Sequence, residues 1–223
     1  MPEQLALDLP VRASRDRGDF FLSEANALAV ARLDAAGTWP NGKLVLTGPE
    51  GAGKSHLASA WAEEKGTTLI MPADLTECVI PDVDHACAID LGADPKMTDA
   101  EEEALFHLHN HLAASGLPLL LVARQAPARW PIALADLKSR LEAAEVVRID
   151  EPDDALLAAV LVKLFSDRQI DVSPNLIGWL VPRIDRSFAA AQDIVSRLDA
   201  AALAAQKPVS RELARRTLDN PPD

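Results

Sequence analysis

Five apolar runs of strand length recur along the first two thirds of the chain: KLVLT (43–47), TTLIM (67–71), HACAI (85–89), LPLLLVA (117–123) and EVVRI (145–149). Between most of them the apolar residues step with a helical period. The segment from Leu22 to Ala36 reads as a helix, with Ser23 as its cap and Gly37 as its stop. A later helix carries a capping box, Thr98 with Glu101, and then Ala104, Leu105, Leu108 and Leu112 on one face. Strands alternating with helices predict a parallel sheet covered on both faces. Short and wholly apolar strands fit burial on both sides.

After Ile149 the strands stop. The segment DEPDD (150–154) marks a junction, and only helical patterns follow, over 153–168, 173–183, 187–206 and 210–218. Pro152 suits a first helical turn, and Pro174 follows Ser173 as a cap. The expected organisation is a flexible arm over 1–19, a sheet domain over 20–150, a small helical bundle over 151–219 and a tail over 220–223.

Composition narrows the choice of function. With 48% hydrophobic residues in 223, the chain has enough apolar side chains for a real core. Acidic residues outnumber basic ones 34 to 22, a net charge of −12. That balance argues against non-specific nucleic-acid binding, which relies on Lys and Arg to neutralise phosphates. No basic segment followed by an apolar run opens the chain, so a signal peptide is not expected. No apolar stretch reaches membrane-spanning length, and a cytoplasmic location is expected. There Cys78 and Cys87 are read as reduced thiols, with one structural disulfide as the alternative.

The clearest chemistry lies directly after the first strand. GPEGAGKS (48–55) is G-x-x-x-x-G-K-[ST] with a strand before it and a helix after it. Gly48, Gly51 and Gly53 let the backbone curl, with Pro49, Glu50 and Ala52 between them, so that successive N–H groups point inward at phosphate oxygens. The helix that follows, through Lys54, Ser55 and His56, adds its positive dipole end. Lys54 suits the terminal phosphates of ADP or ATP, and the Ser55 hydroxyl suits Mg²⁺. A phosphate loop needs an acid at the end of a neighbouring strand to hold the metal's shell. Asp90, at the end of HACAID, is that candidate; capping a turn is its bland alternative. The next residue is Leu91, which cannot accept a proton or align a water. Hydrolysis by this chain alone is therefore expected to be negligible.

The order of these features resembles the AAA+ ATPases of the bacterial replication initiator DnaA, over roughly residues 15–219. FFLSEAN (20–26) resembles the family's segment ahead of the nucleotide pocket, which implies a nucleotide contact for Asn26. EALFHLHNHL (103–112) resembles its third helix. ADLKSRL (135–141) resembles box VII, which implies that Arg140 is an arginine finger, with a surface ion pair to Asp136 or Glu142 as the alternative. Residues 185–218 resemble the family's helical lid, with Arg186 at the sensor 2 position. The implied fold class is α/β, a P-loop AAA+ parallel five-stranded sheet with helices on both faces, plus a C-terminal all-helical lid. Two positions depart from the pattern. Leu91 replaces a polar or acidic residue, and Val122, Ala123 and Arg124 stand where sensor 1 normally offers small polar or acidic groups.

The resemblance runs out where DnaA continues into a helix-turn-helix domain, and neither that domain nor a self-association domain at the front is expected here. That outline resembles the Hda family of DnaA-related regulators, whose arm carries a clamp-binding peptide. QLALDL (4–9) matches its form, which implies that Gln4, Leu5, Leu7 and Leu9 bind the β sliding clamp of DNA polymerase III. Each buried leucine is worth about 1.5–3 kcal/mol, and the Gln4 amide would fix register. The alternative is a first strand packed on its own domain. The resemblance implies DnaA as second partner, with Arg140 acting on ATP held there, no sequence-specific DNA binding, and homo-oligomerisation left open. A helicase loader and a P-loop small-molecule kinase are the competing functional classes. His107 and His111 share a helix face at metal-binding spacing, though the segment fits the family helix. Trp39, Trp61, Trp130 and Trp179 are expected to pack.

Overall fold

The computed structural model describes residues 25–77, 80–93 and 95–219. The expectations for Gln4, Leu5, Leu7, Leu9, Ser23 and Cys78 lie outside these residues. The chain divides into two compact units, the division falling between Asp150 and Glu151.

The first unit is built on five parallel strands: β1 (Lys43–Thr47), β2 (Leu69–Ile70), β3 (Cys87–Asp90), β4 (Leu119–Val122) and β5 (Glu145–Arg148). Their spatial order is β2-β3-β4-β1-β5. Alternate residues of the central strands feed different cores, as the two-residue repeat of a strand requires. Leu44 and Leu46 of β1, Ala88 of β3 and Leu120 and Val122 of β4 pack on one side. Val45, Cys87, Ile89, Leu119 and Leu121 pack on the other.

Helices cover both faces. The first side receives α1 (Ala27–Asp34) and α2 (Lys54–Glu64), through Ala29, Leu33, Leu57 and Trp61. Trp39 stacks on Trp61 at 5.3 Å. The second side receives α3 (Asp99–Ser115) and α4 (Ala135–Glu142), through Leu105, Leu108, Leu112, Leu137 and Leu141, with Trp130 buried beside them. The Thr98–Glu101 capping box is formed, and Gly116 closes α3 in the left-handed conformation.

The second unit is helical: α5 (Asp154–Asp167), α6 (Pro174–Leu180), α7 (Phe188–Ala205) and α8 (Arg211–Asp219). Leu157, Leu161, Phe165, Leu180, Val195 and Leu198 form its core. Asp153, Ser173 and Ser187 each accept a hydrogen bond from a backbone N–H in the first turn they cap. Pro152 therefore stands one residue ahead of the Asp153 cap instead of inside the first turn. Trp179 is partly buried and carries two guanidinium groups over its ring, Arg183 at 4.5 Å and Arg211 at 5.4 Å.

Several boundaries are tighter than the hydrophobic pattern implies. Strand β2 keeps only Leu69 and Ile70, the two residues paired with Ala88 and Ile89. The described part of α1 starts after Asn26, whose side chain makes no capping bond. The helix ends at Asp34, and Ala36–Thr38 form a separate 3-10 turn.

Candidate functional site

Parallel strands place their carboxyl ends along one edge, where ligands of open α/β sheets bind. Thr47, Asp90 and Val122 all reach that edge. The turn from β1 into α2 is made by glycines that other residues replace badly. Gly51 and Gly53 have φ of 71° and 86°, which favours glycine. Gly48 is more constrained, because a Cβ there would stand 2.3 Å from the carbonyl oxygen of Ile149, just beyond β5. The loop is thus fitted against the neighbouring strand end, and α2 presents the unbonded N–H groups of its first turn there.

Two polar side chains join across this edge. Ser55 Oγ donates to Asp90 Oδ2 at 2.6 Å, and Gly92 N donates to Asp90 Oδ1 at 2.9 Å. A hydroxyl from the loop and a carboxylate from a strand two places away in the sheet form a donor set of hard oxygens, the type Mg²⁺ takes. Lys54 Nζ donates to Pro49 O at 2.7 Å. Burial pushes the Lys54 ammonium down from its ordinary range; Asp90 opposes, Arg124 pushes it down further, and Glu50 opposes. Arg124, two residues beyond β4, therefore shares the field of Lys54. Leu91 is buried with Ile89 and Leu105 in the apolar layer, and its N–H donates to Val122 O at 2.8 Å. It offers this edge no polar group.

Arg140 is elsewhere. It sits in the last turn of α4, exposed, with its guanidinium 5.3 Å from the Phe106 ring centroid. No ion pair to Asp136 or Glu142 is formed. The chain then enters β5, where Glu145 pairs beside Leu44. Arg140 and Lys43 line one cavity at the opening residue of β1, so Arg140 and the phosphate loop lie at opposite ends of that strand. Four residue steps of β1 already span roughly 13 Å.

The helix that carries Arg140 is capped from a distance. Its own N-cap residue, Leu134, has no capping side chain. Instead Glu102 of α3, 3% exposed, accepts from Ala133 N at 3.0 Å and from Leu134 N at 2.8 Å. Glu102 stands in the acidic first turn of α3, within DAEEE, where an acid already suits the helix dipole, so nothing local signals this role.

Asn26 is buried immediately before α1, and Ala25 O accepts from Asp150 N at 3.0 Å. His56 follows Ser55 in the first turn of α2. Arg186, in the helical unit, is paired with Asp154 of the same unit at 2.8 Å. His107 lies 3.7 Å from Glu103, and His111 is bonded to Val83 O at 2.7 Å. No cluster with metal-ligand character is present among the described residues.

No family model matches the chain. A protein of Haemophilus influenzae described only as uncharacterized is 27% identical over 186 residues, 78% of this chain and 80% of that one. Among solved structures, domain III of the replication initiation protein DnaA from Thermotoga maritima superposes with a TM-score of 0.76 at 17% identity, over 94% of this chain and 98% of that one. The RuvB Holliday junction branch migration motor of the same organism gives 0.68 at 17% identity, over 89% of this chain and 69% of that one.

The fold is that of the AAA+ ATPases. Within it, AMPPCP-bound DnaA from Aquifex aeolicus is a further neighbour, with a TM-score of 0.70 at 15% identity over 90% of this chain and 68% of that one. Among the described residues, no helix of this AAA+ fold is long and apolar enough to cross a membrane.

Proposed function

We propose that this chain is an Hda-type regulator of replication initiation. It holds ADP or ATP with Mg²⁺ in the loop Gly48–Ser55, with Asp90 completing the metal's oxygen shell. Asn26 and His56 add contacts to that nucleotide, and Arg186 takes the sensor 2 role that the resemblance implies. Gln4, Leu5, Leu7 and Leu9 dock on the β sliding clamp of DNA polymerase III, and Arg140 stabilises charge on the phosphate of ATP held by DnaA.

The observation that carries this reading is the position of Arg140 at the far end of β1 from the phosphate loop. A guanidinium placed there cannot serve its own loop, but it can serve a nucleotide brought up by another molecule. Such a finger supplies about 10³–10⁵ in rate. The burial of Leu91 supports the complementary half: a site built to hold nucleotide without a carboxylate beside Asp90 to orient water.

Clamp capture tests the docking half. Immobilised clamp should retain the full chain, and Gln4→Ala with Leu7→Ala should abolish retention while leaving the fold unchanged by circular dichroism. Equal retention of wild type and variant would exclude this mode of docking. AMPPCP-bound DnaA in the same fold supports the nucleotide half, which equilibrium binding of labelled ADP to wild type and Lys54→Ala tests.

A further inference from the structure

The opposite end of β1 holds a second concentration of positive charge that the phosphate loop does not use. Asn41, Lys43, His109, Ala113, Arg140 and the turn after α4 line a cavity of about 300 Å³ that is open to solvent on one side. That is roughly ten times the share of one liquid water.

Three observations about its walls point the same way. Lys43 is only 5% exposed, and its Nζ donates to Asn41 O at 3.2 Å. An ammonium has three donors, and among the described residues no carboxylate pairs with it. His109 is 2% exposed and its Nε2 is buried without a hydrogen-bond partner. Arg140 brings a third donor group, held against Phe106 by its ring face and free of any carboxylate among the described residues. A buried cation without a counter-ion is costly, and a buried polar atom without a partner is equally uncommon. Both are resolved by one ligand of opposite sign.

We propose that this cavity is an oxyanion-binding site: Lys43 and Arg140 hold a phosphate-class group, and His109, taking a proton from solvent, donates the third hydrogen bond. The group is one of two kinds, a free anion or the terminal phosphate of a nucleotide carried by a second protein. The free-anion case does not rest on the regulatory function proposed above.

The local charges fix the pH dependence. His109 faces Lys43 and Arg140, and its Nδ1 contacts the side-chain Oδ1 of Asn110 at 3.4 Å. Burial first, and then the two cations, push its imidazole down to about 4. It is neutral before binding, and the anion's charge favours its protonated form. Affinity therefore rises as pH falls.

Sulfate is the probe, because it stays fully ionised through this range. The chain used carries Lys54→Ala, so that the phosphate loop contributes little. Calorimetric titration should show saturable sulfate binding that Lys43→Met and Arg140→Ala each weaken about tenfold or more, the loss expected for a charge-assisted hydrogen bond. Affinity should increase from about pH 7.5 to about pH 5.5, and His109→Gln should flatten that increase. Arg140 is exposed, so its variant reads the site even if Lys43→Met perturbs folding. Absence of sulfate binding, or binding unchanged in both Lys43→Met and Arg140→Ala, would overturn the proposal. The second arm adds ATP-loaded DnaA. Loss of stimulated hydrolysis in a Lys43→Met chain whose circular dichroism and thermal unfolding match wild type identifies the group as the neighbour's phosphate, and retained stimulation identifies it as a free anion. Stimulation that survives Arg140→Ala removes the regulatory reading and leaves the sulfate result to stand on its own.

Discussion

Ser55 Oγ and Asp90 Oδ2 are joined at 2.6 Å, which ties the first turn of α2 to the end of β3 across the intervening β4. The bond presets the spacing between a loop hydroxyl and a strand-end carboxylate, so little reorganisation is needed to accept a divalent cation with nucleotide. Asp90→Asn should weaken ADP binding about tenfold or more in Mg²⁺ and leave binding in chelator nearly unchanged. Lys54→Ala should weaken both. Equilibrium titration with a fluorescent ADP analogue, with and without Mg²⁺, makes the comparison. An equal loss under both conditions for Asp90→Asn would assign the residue to loop structure.

Gly48 has φ of 153° and a Cβ built on it meets the Ile149 carbonyl oxygen at 2.3 Å. Gly48→Ala must therefore push the loop away from the end of β5. A backbone carbonyl is not a flexible group, so a loss of about 2 kcal/mol or more is expected. Urea denaturation reads the loss directly, and Gly37→Ala serves as the control because nothing lies within 4 Å of that position.

Glu102 fixes the start of the helix that carries Arg140. Removing its carboxylate leaves the Ala133 and Leu134 N–H groups without their acceptor. Glu102→Ala should cost about 2 kcal/mol and raise amide exchange at residues 133–136, while Glu102→Gln should recover part of both. Exchange unchanged at these amides would show that α4 is positioned by Leu137 and Leu141 alone.

These three sites differ in how much of them the sequence reveals. The glycine-rich turn between β1 and α2 is legible because its signal is local: eight consecutive residues between a strand and a helix. KLVLT matched β1 for the same reason, and so did the Thr98–Glu101 capping box. The shortening of β2 to Leu69–Ile70 was not legible, because it is set by where β3 offers partners. Pro152 stands outside the helix that its own preference suggests, because Asp153 takes the cap with a side-chain bond from Leu156 N at 2.7 Å. Glu102 and Lys43 were missed altogether. Each looks like an ordinary charged flank until the fold buries it, and their partners lie far along the chain.

His109 gives the fold a defined response to acid. Its imidazole is pushed down to about 4 by burial and by Lys43 and Arg140, against an ordinary value of 6.5. The unfolded chain thus binds a proton that the folded chain refuses between those values. The stabilisation is complete above the ordinary value and is lost as pH falls toward 4. The stability difference between wild type and His109→Gln should change by about 2 kcal/mol between about pH 7 and pH 4, after discounting for solvent screening. Denaturation curves at matched ionic strength test this. A difference constant with pH would mean that His109 does not titrate in this window.

Single-turnover hydrolysis of ATP bound to DnaA measures most directly whether Arg140 acts outside its own molecule, as proposed. With sliding clamp loaded on DNA, the wild-type chain should accelerate hydrolysis by orders of magnitude, and Arg140→Ala should return it to the unassisted rate while clamp binding is unchanged. Equal acceleration by wild type and Arg140→Ala, or none by either, would contradict the account.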